Sequence, residues 1–294
     1  MDSAAISRPR PSLAFSGKLR VWMVLGRISN LPTVWSNCLA GCWLGGWNTP
    51  GPVLLLCLGG SLLYTGGMFL NDVCDVDFDA EFRRERPIIS GALSRRAVII
   101  ATAALFIVGV ALIARINGRS GLFAVGLTML IIIYDWTHKR IRTGPLLMAG
   151  CRFLLYLTAA SAGLAGITPR ALLLAAALGI YVAGLTLLAR SETRPVANSR
   201  PSGNFWLLLF APVVTALVLD HLVDAVLGCL PLILCISWAM IAARERIGSA
   251  IGLLLAGIVL VDLIAISTSS PALIAVCLVL FGVTLLFQKY IPAT

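Results

Sequence analysis

Four aspartates fall within eight residues at the end of the segment Asn71–Asp79, directly after an apolar run that begins at Val53. Asp72, Asp75 and Asp79 are spaced i, i+3 and i+7, so they share one face if a helix continues through them. Because like charges on one face repel each other, a cation must neutralise them. Carboxylate oxygens suit Mg2+, which binds through one or two carboxylates together with substrate phosphates. Asp72, Asp75 and Asp79 are therefore candidate metal ligands.

Arginines just after this segment offer a second source of positive charge. Arg83, Arg84 and Arg86 follow the last aspartate. Guanidinium groups bind phosphate oxygens in a bidentate geometry, so Arg83 and Arg86 are candidate phosphate-binding residues. The other interpretation is a solvated loop in which these acids and bases pair with each other. The regular spacing at the end of an apolar helix favours the site.

The elements around the aspartates are apolar enough to lie in a bilayer. Hydrophobic residues make up 59% of the chain and charged residues 12%, with a mean hydropathy of +0.95. A soluble protein of this length cannot cover its surface with so few charges. Apolar segments between the charge clusters predict an all-α, polytopic transmembrane helical bundle of about nine or ten spans. Residues 1–20 are predicted to be a disordered cytoplasmic segment, and residues 21–294 a single transmembrane domain.

The basic residues set the predicted orientation. The net charge is +10, and most bases cluster in alternate loops if the N-terminus is cytoplasmic. This distribution satisfies the positive-inside rule and explains the charge without nucleic acid as a partner. It predicts a multi-pass protein of the cell (inner) membrane, with the aspartates on the cytoplasmic side and membrane lipid around the bundle.

Polar residues within or beside the predicted spans are further candidates. Arg27, Asn30 and Asn37 project within about a quadrant of one another on the first span, 21–46. Arg152 lies near the start of the fifth span, and Asp262 lies deep in an apolar run. Intramembrane polar groups are costly and normally face the bundle interior. Contacts between helices and a pocket wall are alternative roles for the first-span residues. Arg152 needs an acid or a phosphate as a partner, or its side chain extends to the membrane interface.

The pattern Asn-Asp-x-x-Asp-x-x-x-Asp, followed by Arg86-Pro87 and Gly-x-Leu-Ser, resembles the first aspartate-rich motif of the UbiA family of membrane prenyltransferases. The resemblance implies Mg2+-assisted transfer of an isoprenoid group from an allylic diphosphate to an aromatic or other hydrophobic acceptor. It assigns the catalytic role to Asp72, Asp75 and Asp79. The predicted substrate-binding residues are Asn30, Asn71, Arg83, Arg86, Tyr134, Lys139, Arg140 and Arg152.

The chain departs from the family pattern at the end of the sixth span. A second aspartate-rich motif is usual there, but Glu192 is the only acid between Tyr181 and Thr193. The chain also contains Arg-x-x-Asn-x-Pro-Thr from Arg27 and Cys-Arg-x-Leu-x-Tyr from Cys151. With the second motif absent, this combination resembles the EboC-like branch of the family. The alternative function is a non-catalytic UbiA-like protein that binds or carries a hydrophobic diphosphate or aromatic metabolite.

Overall fold

The computed structural model describes residues 17–47, 49–138, 141–192, 205–267 and 271–291, and all regular elements in these ranges are helices. This confirms the predicted all-α bundle. The α-helices are α1 (Gly17–Leu25), α2 (Leu31–Leu44), α3 (Pro50–Cys74), α4 (Val76–Phe82), α5 (Arg95–Ala114), α6 (Gly118–Thr137), α7 (Gly144–Ala160), α8 (Pro169–Glu192), α9 (Phe205–Leu208), α10 (Ala211–Leu219), α11 (Leu222–Glu245), α12 (Ile247–Ile266) and α13 (Pro271–Tyr290).

Seven of the described helices are long and apolar enough to cross a membrane: α3, α5, α6, α8, α11, α12 and α13. Helix α7 and the segment Phe205–Leu219 are shorter apolar elements. The chain is therefore an integral membrane protein. The predicted number of nine or ten spans is approximate, because it also counts such shorter helices as spans.

The first predicted span is not one continuous helix. Helix α1 ends at Leu25, a 3-10 turn covers Ile28–Asn30, and α2 begins at Leu31. Arg27 joins them with a left-handed backbone, at φ 45° and ψ 48°. Pro32 lies in the first turn of α2, where its missing N–H has no helical partner to lose. This break turns Arg27 out of the helical register that the sequence predicted.

Helix α12 lies inside the bundle, where it packs against α2, α8, α11 and α13. Every residue from Ala256 to Ile266 is buried, including Asp262. A helix that is apolar all round is expected in such a position. Asp262 is therefore shielded from lipid by the neighbouring helices.

The predicted N-terminal segment, 1–20, lies mostly outside the described residues. Its last four residues, 17–20, begin helix α1. The division into this segment and one domain, 21–294, stays a prediction.

Candidate active site

Asp72 is the buried centre of the acidic segment. It lies in the last turn of α3, and only 2% of its side chain is exposed. Its Oδ1 lies 3.7 Å from Arg27 Nη2 and 3.6 Å from Arg86 Nη1. A carboxylate is costly to bury without such partners, and the two cations make its burial possible. The break before α2 and the loop after α4 thus each supply one arginine.

The three aspartates do not form one preassembled cluster. The helix is interrupted at Asp75, although Asp75 N donates to Asn71 O and Asp79 N donates to Asp75 O, as in a helix. Asp75 Oδ1 faces His138 Nε2 at 3.7 Å, whereas Asp72 faces the arginines. Asp79 is buried on α4. The expectation of one continuous helical face is therefore only partly met.

The acidic segment meets only part of what a metal ion needs. Among the described residues, no group of three His, Cys, Asp or Glu side chains is arranged to hold a metal ion. However, the buried Oδ2 of Asp72 has no hydrogen-bond partner in the described part of the chain. This free oxygen fits a Mg2+ ion that takes one or two carboxylates and completes its shell with phosphate oxygens. The metal role of Asp72, Asp75 and Asp79 stays a prediction.

The two arginines predicted to bind phosphate lie in different surroundings. Arg86 is next to Asp72, and burial, followed by the nearby Arg27 charge, lowers the pKa of its guanidinium. Arg86 remains a cation, because an arginine stays protonated in proteins. The Arg83 guanidinium lies 6.0 Å from the centre of the Phe78 ring. The structure therefore brings Arg86 directly to the acidic segment, while Arg83 flanks it.

Asn71 connects the acidic segment to α6. Its Oδ1 accepts a hydrogen bond from Arg27 Nη2 at 3.4 Å, and its Nδ2 donates to Asp135 Oδ1 at 3.2 Å. Next to Asp135, Tyr134 stacks on His138 with ring centroids 4.9 Å apart. The predicted substrate-binding residues Asn71 and Tyr134 thus lie beside the acidic segment. Asp135, which the sequence analysis did not select, joins them.

A cavity of about 240 Å³ opens between the helices beside this network. Its polar lining consists of Arg27, Asn30, Tyr64, Tyr134, Asp135, Arg152 and Thr186. The rest of the wall is mostly apolar and comes from Gly60, Leu63, Gly67, Met68, Leu127, Ile131, Met148, Cys151, Leu155, Val182, Leu185, Ala189, Ile251, Leu255 and Ile258. An apolar pocket with a few convergent polar groups is typical of a ligand site.

Asn30 and Arg152 both meet Tyr64 at the cavity wall. Asn30 Nδ2 donates to Tyr64 Oη at 3.2 Å, and Arg152 Cζ lies 5.8 Å from the centre of the Tyr64 ring. Arg152 is 9% exposed, and its guanidinium donates to Asn37 Oδ1 at 2.8 Å and Thr33 Oγ1 at 3.0 Å. Both predicted residues therefore line the pocket, in addition to linking helices.

The remaining predicted residues follow α6 in the sequence, and the place of the usual second motif is the end of α8. Lys139 and Arg140 lie outside the described residues. Helix α8 lines the cavity with Val182, Leu185, Thr186 and Ala189, none of them acidic. Arg190, near the end of α8, donates to the main-chain oxygens of Arg142 and His138. In the described residues, α8 therefore supports the loop after α6 and brings no carboxylate to the cavity.

Sequence reasoning missed two members of the site. Asp135 carried a usable signal, because it is an acid at the end of an apolar span. His138 carried none, because an exposed loop histidine and one facing a carboxylate look alike in sequence. The sequence identifies Arg27 as a polar residue of the first span. Its pairing with Asp72 depends on the break between α1 and α2, which the sequence did not predict.

The comparisons with known proteins agree with this architecture. A profile of the UbiA prenyltransferase family matches residues 30–292, which is most of the chain. The chain therefore belongs to the UbiA prenyltransferase family. The solved structure of a UbiA homolog from Aeropyrum pernix K1 superimposes with a TM-score of 0.64 at 19% identity, covering 81% of this chain and 96% of that one. This similarity supports the fold.

Two relatives show which kinds of protein the chain is similar to. It is 30% identical over 178 residues to a 4-hydroxybenzoate octaprenyltransferase from Paracidovorax citrulli, covering 58% of each chain. It is 38% identical over 74 residues to a digeranylgeranylglyceryl phosphate synthase from Thermococcus kodakarensis, covering 25% of this chain and 27% of that one. Both matches span less than two thirds of the relative.

Proposed function

We propose that this protein is an integral-membrane prenyltransferase that moves an isoprenoid group from an allylic diphosphate to an aromatic or other hydrophobic acceptor, with Mg2+. One observation carries the proposal. A buried carboxylate, Asp72, lies between Arg27 and Arg86 beside a mostly apolar cavity. This arrangement suits a ligand with an anionic head and a hydrocarbon tail. The name of one relative, a 4-hydroxybenzoate octaprenyltransferase, supports it.

The diphosphate would lie at the acidic segment. Arg27 and Arg86 bind its oxygens, and Lys139 and Arg140 are the further basic residues that the sequence places after α6. Asp72, Asp75 and Asp79 are the residues that would hold Mg2+. When bound, this ion neutralises charge on the leaving diphosphate. The arginines do the same from fixed positions, which is the electrostatic contribution that commonly dominates catalysis.

The isoprenoid tail would lie in the cavity. Its apolar walls keep water away from the allylic carbon, which becomes cationic as the diphosphate leaves. The Tyr64 ring lines this cavity and can stabilise the cation through its π face. The acceptor then attacks this carbon. The positive-inside distribution of bases supports a site on the cytoplasmic side of the inner membrane.

The test is release of diphosphate by the purified protein in detergent. Geranyl, farnesyl and geranylgeranyl diphosphates are supplied with Mg2+, with and without a panel of hydrophobic acceptors. We expect release that needs both Mg2+ and an acceptor, and its loss in Asp72→Asn, which keeps the side-chain volume. Asp224→Asn, in the exposed first turn of α11, is the matched control.

The alternative, a non-catalytic carrier, gives a different result in the same assay. Isoprenoid diphosphates would then bind tightly, and no condition would release diphosphate. That result would overturn the enzymatic proposal.

A further inference from the structure

Asp135 is a buried acid that has no role in the proposed binding of diphosphate or Mg2+. It is 3% exposed, near the end of α6, and it lines the cavity. Its Oδ1 accepts a hydrogen bond from Asn71 Nδ2. Its Oδ2 is buried and has no hydrogen-bond partner among the described residues. One oxygen of this carboxylate is thus held in place, and the other is an unpartnered buried atom of a residue that lines the cavity.

The Nη2 group of Arg27 and the Arg152 guanidinium are directed away from Asp135, and the buried Arg27 Nε has no hydrogen-bond partner among the described residues. Arg27 Nη2 is directed to Asn71 and Asp72, and the Arg152 guanidinium is directed to Thr33 and Asn37. A carboxylate oxygen that is buried without a donor is strongly disfavoured. Intramembrane acids that remain in such positions mark ligand or proton pathways. The missing donor is therefore expected on a ligand in the cavity.

We infer that Asp135 binds the acceptor, through a hydrogen bond from an acceptor hydroxyl group to Oδ2. The inference rests on the proposed function and deepens it, because it names the acceptor class: an alcohol or phenol that presents its hydroxyl at the diphosphate end of the cavity. Asn71 and Asp72 are adjacent in α3, so the hydrogen bond from Asn71 holds the Asp135 carboxylate near Asp72. The hydroxyl is thereby held close to the carbon that carries the diphosphate.

The same contact gives the proton a destination. As the hydroxyl oxygen forms a bond to the first carbon of the isoprenoid, the bond between that carbon and the diphosphate oxygen breaks. The electron pair of the broken bond leaves with the diphosphate. The hydroxyl proton passes to Asp135 Oδ2, so the product is a neutral ether and the charge balances. An acceptor without a donor at this position neither satisfies Oδ2 nor has a proton to lose there.

The variant Asp135→Asn isolates the role of Oδ2. An asparagine oxygen still accepts the hydrogen bond from Asn71, and the side-chain volume is unchanged. The atom in the place of Oδ2 becomes an NH2 group, which donates and cannot accept a hydrogen bond or a proton. Asp224→Asn is the control for an exposed acid on another helix.

The first measurement is binding, which requires no catalysis. We expect the wild-type protein to bind 4-octylphenol about tenfold or more tightly than its methyl ether, which lacks the donor, as for a hydrogen bond to a charged group. Asp135→Asn should lose this preference, and Asp224→Asn should keep it. Equal preference in wild type and Asp135→Asn would overturn the inference, even if the protein proves not to be a transferase.

The second measurement separates acceptor binding from the diphosphate site. With an unreactive thiolodiphosphate analogue of geranyl diphosphate and Mg2+, Asp135→Asn should bind within about threefold of wild type. Transfer to the phenol should fall about a hundredfold or more, the usual contribution of a positioned base, and partly return in Asp135→Glu. Weaker analogue binding or a raised Mg2+ requirement would instead assign Asp135 to the metal site and overturn the inference. Absence of transfer in the wild type contradicts the proposed function and leaves the binding test decisive.

Discussion

Asp262 Oδ2 accepts a hydrogen bond of 2.6 Å from Asn37 Nδ2, which joins α12 to α2 in the interior of the bundle. The same oxygen accepts a second bond of 2.6 Å from Ser36 Oγ. Asn37 uses its other amide atom, Oδ1, to accept from Arg152. The amide therefore connects the buried Asp262 carboxyl group to the buried Arg152 guanidinium. Through it, a residue outside the cavity orients the Arg152 side chain that lines the cavity.

Asp262→Ala tests this connection. The substitution leaves the buried Ser36 and Asn37 donors without their acceptor, and leaving a buried donor unsatisfied costs roughly 1–3 kcal/mol. We expect a clearly lower thermal unfolding temperature in detergent, measured by intrinsic fluorescence. Asp224→Ala, at an exposed acid, should leave that temperature unchanged. Equal stability of the two variants would contradict a structural role for the Asp262 network.

Arg27 should contribute to diphosphate binding, because it contacts both Asn71 and Asp72. Arg27→Gln removes one of the two cations facing the predicted diphosphate site. We expect the affinity for an isoprenoid diphosphate with Mg2+ to fall roughly tenfold to a hundredfold, as for loss of a charge-assisted hydrogen bond. Isothermal titration with an unreactive analogue measures it. Arg20→Gln, on the exposed part of α1, is the control, and an equal loss there would show a general effect of charge.

Close packing between α3 and α5 gives a prediction about stability. A Cβ atom at Gly109 would lie 3.0 Å from the Gly59 oxygen and 2.8 Å from Leu63 Cδ2. Small residues let transmembrane helices approach in this way. Gly109→Leu should therefore destabilise the bundle by about 1–3 kcal/mol or more through overpacking. Gly126→Leu is the matched control, because no atom lies within 4 Å of a Cβ there, and its thermal unfolding should resemble wild type.

The sequence predicted features that depend on neighbouring residues, and it missed those that depend on helix packing. Hydropathy and spacing identified the helical bundle and the segment around Asp72. They did not identify the pairing of Asp262 with Asn37, because 225 residues separate the two. The left-handed conformation of Arg27 was equally hidden, since a long side chain there is uncommon. Asp135 lay next to a predicted residue, but its free oxygen depends on which donors the neighbouring helices supply.

A double-mutant cycle on Arg152 and Asp262 separates the structural role of this pair from the role of Arg152 in the cavity. Arg152→Met alone leaves Asn37 Oδ1 and the Asp262 carboxyl group without the nearby guanidinium, and Asp262→Leu alone leaves Arg152 without the nearby carboxyl group. Each single variant should be strongly destabilised. The double variant leaves neither group, so its loss of stability should be smaller than the sum of the two single losses by about 1–3 kcal/mol.

Activity should not recover with stability. Arg152 lines the cavity and lies against Tyr64, so a methionine there removes a polar group from the cavity wall whatever residue occupies position 262. We expect the double variant to unfold at a higher temperature than Asp262→Leu, yet to transfer prenyl groups no better than Arg152→Met. Unfolding by denaturant and product formation, measured on the same four preparations, test both statements. Additive losses of stability would show that the two groups act independently, and full recovery of transfer would restrict Arg152 to a structural role.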